Sequence, residues 1–152
     1  TLQTLMSRPV YNTGIGGDTM DAISARMAAV SVELKSKVAI LWDGDNNGMT
    51  TVSAYADKAA AAIAGCSKFI IIPTCISRGQ ADISVEDAIL AEFTSRWPNN
   101  IIDWRTVLTF SAGALDDTMY RVTDGSDNIH LSQAAMDLMA AAIQSFITAK
   151  GW

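Results

Sequence analysis

The 152-residue sequence is poor in basic residues, cysteine, histidine and long apolar runs. It has 11 Lys+Arg against 16 Asp+Glu, so it lacks the basic surface that binding to nucleic-acid phosphates requires. No stretch approaches the roughly 18 consecutive apolar residues of a membrane span, and no basic segment followed by an apolar one opens the chain as a secretory signal would. We therefore expect neither nucleic-acid binding nor a membrane span.

The two cysteines, Cys66 and Cys75, are too few for a disulfide scaffold or a four-cysteine metal site. They also leave the redox compartment and the localisation open. With 49% apolar and 18% charged residues, the chain has enough apolar surface to form a sizeable core. At this length, the composition predicts a single domain over residues 1–152.

Apolar runs and helical stripes alternate along the chain. Short continuous apolar runs predict buried strands at Val38–Trp42 and 69–72, a short strand at 9–13, and a further strand within 101–110. Apolar residues at helical spacing predict four helices, at 20–34, from 52 to about 65, at 84–97 and from about 132 onward. This alternation predicts an α/β fold in which helices cover both faces of a parallel sheet, with ligands bound at the carboxyl ends of its strands.

Two polar turns resemble ligand-binding loops but each lacks a required residue. The turn DGDNNG (43–48) matches the first positions of a calcium loop, yet position twelve, which needs a bidentate Glu, is Ala54. The glycine-rich turn at 14–17 resembles a dinucleotide-binding loop, but Thr19 stands where the third glycine belongs. Neither a metal nor a nicotinamide cofactor is therefore expected.

His130 is the only histidine, and Asp127 precedes it by three residues in the segment DGSDNIHLS. In a loop ahead of the last helix, the Asp127 carboxylate could bind one ring nitrogen and leave the other free as a base. The alternative is that Asp124 and Asp127 only form turns among Gly and Ser.

Three segments together resemble, in this order, the second, third and fifth sequence blocks of the SGNH hydrolases, the GDSL-like esterase and lipase superfamily. They are IGGDT (15–19), ILWDGDNNG (40–48) and DNIHLS (127–132). The resemblance implies a three-layer α/β/α sandwich of flavodoxin-like type and an acyl-enzyme mechanism that needs no cofactor. It implies that Gly17 and Asn46 donate to the oxyanion, that His130 is the base and that Asp127 orients it.

The family's first block, a Gly-Asp-Ser segment that carries the nucleophile, has no match before Ile15. We expect this serine upstream of residue 1, on a companion peptide that also supplies a central strand between residues 9–13 and Val38–Trp42. Alternative nucleophiles within the chain are Thr19, Cys75 and the loop serines Ser77, Ser111 and Ser126.

The resemblance implies a serine esterase. The loops carry no long apolar lid for a fatty chain, so a small acyl group is expected, with acetyl on a carbohydrate as the preferred substrate. The alternative is a non-catalytic binding or structural module that keeps the fold without a nucleophile.

Overall fold

The structure is a computed structural model that describes residues 2–7, 9–42, 51–74, 82–111, 114–121, 126–127 and 129–152. These residues form a mixed α/β fold with six α-helices and four strands. The helices are α1 (Leu2–Met6), α2 (Met20–Ala28), α3 (Val32–Lys35), α4 (Val52–Ala62), α5 (Ser84–Arg96) and α6 (Gln133–Ala149). The strands are β1 (Val38–Trp42), β2 (Lys68–Ile72), β3 (Phe110–Ser111) and β4 (Ala114–Leu115), and short 3₁₀ helices cover Trp104–Thr106 and Asp117–Met119.

The described residues fall into two compact units, and each unit is built from separate stretches of the chain. The sheet unit comprises Thr13–Thr74 and Ser84–Ile102. The histidine unit comprises Thr1–Asn12, Cys75–Ile83 and Asp103–Trp152.

β1 and β2 of the sheet unit pair in parallel, with Val38 opposite Lys68 and Trp42 opposite Ile72. The predicted strand at Val38–Trp42 is confirmed, and the one predicted at 69–72 begins one residue earlier. A third parallel segment starts beyond β2, where the Ile71 N–H donates to the Asn100 carbonyl (2.8 Å) and the Ile102 N–H donates to the Ile71 carbonyl (3.0 Å).

Helices α2, α4 and α5 pack with one face of this sheet because their apolar residues recur at helical spacing. Tyr55 of α4 stacks on Phe93 of α5, with ring centroids 5.8 Å apart. Leu41 and Ile71 contribute the sheet side of this core. The buried cluster comprises Met20, Leu41, Tyr55, Ala56, Ala59, Ala62, Ile63, Ile71, Ile89 and Phe93.

The helix predicted at 20–34 is in fact two helices, α2 and α3. The last turn of α2 tightens, since Ala29 N–H donates to the Arg26 carbonyl, three residues back. Ser31 then caps α3 by accepting from the Leu34 N–H at 3.4 Å. A serine in extended conformation restarts a helix rather than continuing one, and periodicity alone does not detect this.

The strand predicted at residues 9–13 is wrong, because the structure has irregular chain there. Val10 is 38% exposed and Tyr11 is 71% exposed. Because these two apolar residues stay exposed, they contribute little hydrophobic stabilisation to a strand. Pro9 also has no N–H to donate to a neighbouring strand.

The histidine unit is organised around α6, whose start near Ser132 is as predicted. α1 packs on α6, and Gln144 Nε2 donates to the Leu5 carbonyl at 2.8 Å. β3 and β4 pair in antiparallel orientation, with Phe110 opposite Leu115 and Ser111 opposite Ala114. The buried side chains of this unit are Trp104, Leu108, Leu115, Met119, Tyr120, Ala135, Met139, Ala140, Ile143 and Ile147.

Candidate active site

The segment that carries Asp127 and His130 is closed at its base by two backbone hydrogen bonds. The Arg121 N–H donates to the His130 carbonyl and the Ser132 N–H donates to the Met119 carbonyl, both at 2.8 Å. These bonds flank an antiparallel bridge between Tyr120 and Leu131. Because Tyr120 is 1% exposed, the base of the segment is anchored in the core of the histidine unit.

On the other side of His130, helix α6 fixes the chain. Ser132 caps α6 by accepting from the Ala135 N–H at 3.2 Å. Met139 and Ile143 on the inner face of the helix are buried. His130 therefore lies two residues ahead of the cap of a well-anchored helix.

The side chain of Asp127 is held by the backbone that follows it. Its Oδ1 accepts from the N–H groups of Ile129 (3.2 Å) and His130 (3.0 Å), an arrangement typical of Asp in tight turns. Both carboxylate oxygens lie 3.0 Å from Nδ1 of His130. The prediction that Asp127 contacts the His130 ring is confirmed.

The Asp127 carboxylate is stabilised in its ionised form. Its pKa is lowered to about 2, mainly by the backbone N–H of His130, with further contributions from the Ile129 N–H, the His130 ring and Arg121, against the opposing effect of burial. Arg121 places Nη2 at 2.7 Å from Oδ2. At neutral pH the Asp127 side chain is therefore a carboxylate, which can only accept hydrogen bonds.

This charge determines which nitrogen of the neutral His130 ring carries the proton. Since Asp127 can only accept, Nδ1 is the donor and Nε2 holds the lone pair. The His130 side chain is 66% exposed, and within the described parts of the chain Nε2 has no hydrogen-bond partner. A ring in this state can take a proton from a hydroxyl at Nε2.

Gly17 lies in the sheet unit, in a β-turn closed by the Asp18 N–H donating to the Ile15 carbonyl at 3.2 Å. Its φ of +84° is left-handed, a conformation in which glycine is favoured. Among the described residues, nothing accepts from the Gly17 N–H, so this group is available to a ligand. The geometry is compatible with the predicted oxyanion donor.

Asn46, the second predicted oxyanion donor, lies outside the described residues, as does the whole calcium-like turn 43–48. Gly17 belongs to the sheet unit, whereas Asp127 and His130 belong to the histidine unit. The structure thus joins Asp127 to His130, and the convergence of His130, Asn46 and the Gly17 N–H on one acyl centre stays a prediction.

Among the alternative nucleophiles, Thr19 has a structural role that accounts for its position. The Thr19 hydroxyl caps α2 by accepting from the Ala22 N–H, and Asp18 pairs with Arg26 at 2.5 Å. The sequence Gly17-Asp18-Thr19 therefore has a structural role at the start of a helix. Cys75 and Ser77 lie outside the described residues.

Cys66 does not have the character of a nucleophile. Burial raises the pKa of its thiol, and nearby Lys35 only partly opposes this effect. The protonated thiol is a poor nucleophile at neutral pH.

The sequence did not point to Arg121, which contacts Asp127. Arg121 lies nine residues before His130 in the chain. No motif contains it. The signal that could have found it is the pairing of Tyr120 with Leu131, which brings residues 121 and 130 together, but this bridge is too short to have a recognisable pattern.

Comparison with models of known protein families finds no match to the chain, and comparison with curated proteins finds none either. In the described ranges, no cluster of three or more His, Cys, Asp or Glu side chains is placed to hold a metal ion. No helix within the same ranges has the length and apolar character needed to cross a bilayer.

Proposed function

We propose that the chain is the larger part of an SGNH-type serine esterase that hydrolyses a small acyl ester, with an acetylated carbohydrate as the preferred substrate. The observation that carries the proposal is the contact of Asp127 with Nδ1 of His130, which leaves Nε2 free and facing no partner among the described residues. This is the arrangement that a serine hydrolase needs in its base.

In the proposed reaction, a serine hydroxyl attacks the ester carbonyl carbon as His130 Nε2 takes the hydroxyl proton. The resulting oxyanion is stabilised by the N–H of Gly17 and the side-chain amide of Asn46, donors worth roughly 3 to 4 kcal/mol each in a dry site. The C–O bond to the alcohol then breaks, and the alcohol leaves with the proton from His130. Water repeats the sequence on the acyl-enzyme and releases the acid.

We assign the serine to a companion segment upstream of residue 1. The support comes from the edge of β1, which has β2 as its only strand neighbour in the described part of the chain. Val38, Ile40 and Trp42 on one face of β1 are only partly buried, whereas Ile70 and Ile72 on the matching face of β2 are fully buried. A parallel strand beside β1 would satisfy its free backbone groups and cover this apolar surface.

The three-layer sandwich is part of the same proposal. Along β2, Ile71 faces α2, α4 and α5, while Ile70 and Ile72 point to the opposite face because side chains alternate. All three are 0% exposed, so β2 is covered on both faces. Burial of both faces is typical of a parallel sheet between two helical layers.

The test of the function is a replacement of His130 in the complete protein with its serine. His130→Ala should reduce ester turnover by about 10⁴- to 10⁶-fold, because the base and the nucleophile act as one unit. Met136→Ala, an exposed position on α6, is the matched control and should keep its activity. Equal activity of the His130 variant and the wild type would refute the esterase. A complete protein that binds acetylated carbohydrate without hydrolysing it would favour the non-catalytic module.

The companion segment has its own test. Residues 1–152 should unfold cooperatively and protect β1 from hydrogen exchange only when the Gly-Asp-Ser peptide is present, because unpaired backbone groups along an apolar edge are costly. The amides of β2 serve as the internal control, since β2 has neighbours on both sides. A monomeric chain without the peptide that protects both strands equally would overturn the assignment.

A further inference from the structure

We propose that Arg121 is a positioning residue, which holds the Asp127 carboxylate and the His130 backbone in the arrangement that leaves Nε2 of His130 free. Its effect on catalysis rests on the esterase proposed above. Its effect on the state of the ring does not, and the two effects are measured separately.

The geometric basis is that Arg121 contacts both members of the pair through different groups. Its Nη2 lies 2.7 Å from Oδ2 of Asp127, and its backbone N–H donates to the His130 carbonyl at 2.8 Å. The backbone contact is fixed by the neighbouring bridge between Tyr120 and Leu131. The guanidinium therefore extends from an anchored point of the chain toward the carboxylate.

The two oxygens of Asp127 have different partners, and this is why Arg121 matters. Oδ1 is held by the N–H groups of Ile129 and His130, which fix the position of one oxygen only. Nδ1 of His130 lies 3.0 Å from both oxygens, and Oδ2 is the oxygen that Arg121 contacts. Without Arg121, Oδ2 keeps only its contact with Nδ1, so the carboxylate plane is held less firmly and the hydrogen bond to Nδ1 is less well aligned.

The environments of the two charged groups set the size of the effect. Asp127 is 10% exposed, whereas the Arg121 side chain is 63% exposed, so solvent screens their attraction. Exposed ion pairs contribute at most about 1 kcal/mol, which corresponds to about 5-fold, and we therefore expect a change of about 2- to 5-fold and no more. Because lysine carries the same charge on a long side chain, it should replace Arg121 in part.

A different role for Arg121 makes a different prediction. An exposed guanidinium beside His130 could instead bind an anionic group of the substrate. Its removal would then raise KM and leave the state of the His130 ring unchanged, whereas a positioning residue affects kcat and the ring.

The experiment compares Arg121→Gln, Arg121→Lys and the control Lys150→Gln in the complete protein. Lys150 belongs to the same unit and carries the same charge, but its contacts are with Phe146 and Trp152. The ¹⁵N shifts of the imidazole, recorded at about pH 9 where imidazoles are neutral, report which nitrogen bears the proton. His130 is the only histidine, so the spectrum contains one ring.

Arg121→Gln should move the two ring nitrogen signals toward each other, as the proton becomes shared between Nδ1 and Nε2, and lower kcat about 2- to 5-fold at unchanged KM. Arg121→Lys should restore part of the separation between the ring nitrogen signals and part of the kcat. Lys150→Gln should match the wild type in both measurements. Unchanged ring signals in Arg121→Gln, or a change in KM alone, would overturn the proposal. A wild type without hydrolase activity would refute the esterase, and the ring signals alone would then decide the role of Arg121.

Discussion

The sheet unit and the histidine unit differ in what holds their important residues in place. In the sheet unit, Tyr55, Phe93 and Ile71 belong to one continuous buried apolar cluster. In the histidine unit, the His130 side chain is largely exposed, and hydrogen bonds fix its position and that of Asp127. Burial determines position in the first case, and local polar contacts determine it in the second.

This difference suggests that stability and chemistry are separable in this molecule. A substitution in the buried cluster should affect unfolding, while a substitution in the Asp127–His130 loop should affect turnover and leave the fold nearly intact. The expected effects of such substitutions decrease in the following order.

The largest effect is expected for Asp127→Asn. Asn can still accept from the N–H groups of Ile129 and His130 through Oδ1, so the loop should keep its shape. Its amide would however present a donor to Nδ1 and favour the wrong tautomer of His130. Ester turnover should fall about 10⁴-fold, and the melting temperature should change by at most about 3 °C. A variant that keeps its activity would mean that Asp127 only forms a turn.

The second prediction concerns the buried cluster of the sheet unit, where a substitution should cause a large loss of stability. Phe93 is fully buried and contacts Tyr55 and Trp97, with ring centroids 5.8 and 5.5 Å away. Phe93→Ala should lower the free energy of unfolding by about 3–5 kcal/mol, measured by urea denaturation. Val32→Ala, at an apolar position that is 79% exposed, is the control and should stay within about 0.5 kcal/mol of the wild type. A small effect of Phe93→Ala would contradict the packing described for α4 and α5.

The third prediction concerns a feature that the two units share. Thr51 caps α4 by accepting from the Ala54 N–H at 3.1 Å, and Ser132 caps α6 in the same way at 3.2 Å. Thr51→Ala and Ser132→Ala should each lower the free energy of unfolding by about 1 kcal/mol, and Thr51→Ser and Ser132→Thr should not. A much larger loss of stability in one unit would mean that the whole helix of that unit, and not only its first turn, depends on the capping hydrogen bond.

The smallest effect is a dependence of stability on pH. The pKa of Asp127 is about 2 in the folded chain against an ordinary value of 3.8, so folding favours the ionised form. Its contribution to stability is complete above about pH 4 and is lost as the pH falls through about 2. The difference in urea midpoint between wild type and Asp127→Asn should therefore shrink between pH 5 and 2. A difference that is constant over this range would show that the charge of Asp127 is not involved.

The sequence predicted β1, β2, α4, α5 and α6 well, since their apolar residues repeat with the period of the element and tertiary burial agrees with that period. It failed where one local contact overrides the period. α2 ends at Ala28 and Ser31 starts a separate helix within the stretch predicted to run to residue 34, and residues 9–13 form no strand although two of them are apolar.

At the candidate site, the contact of Asp127 with His130 was predictable because three residues separate them and the turn-forming chemistry of Asp is local. Arg121 was not predictable, because its approach depends on a backbone bridge rather than on spacing along the chain. The assignment of Asn46 stays a prediction from the resemblance.

The two hydrogen bonds that close the base of the Arg121–His130 segment also bear on how this protein can diversify. When backbone hydrogen bonds close a loop at its base, an insertion elsewhere in the loop has little effect on the positions of the residues beside those bonds. Each doubling of loop length costs only about 0.6 kcal/mol in chain entropy, so insertions after Arg121 are thermodynamically inexpensive. Chains with a different number of residues between Arg121 and Asp127 should therefore keep the geometry of the base and its carboxylate.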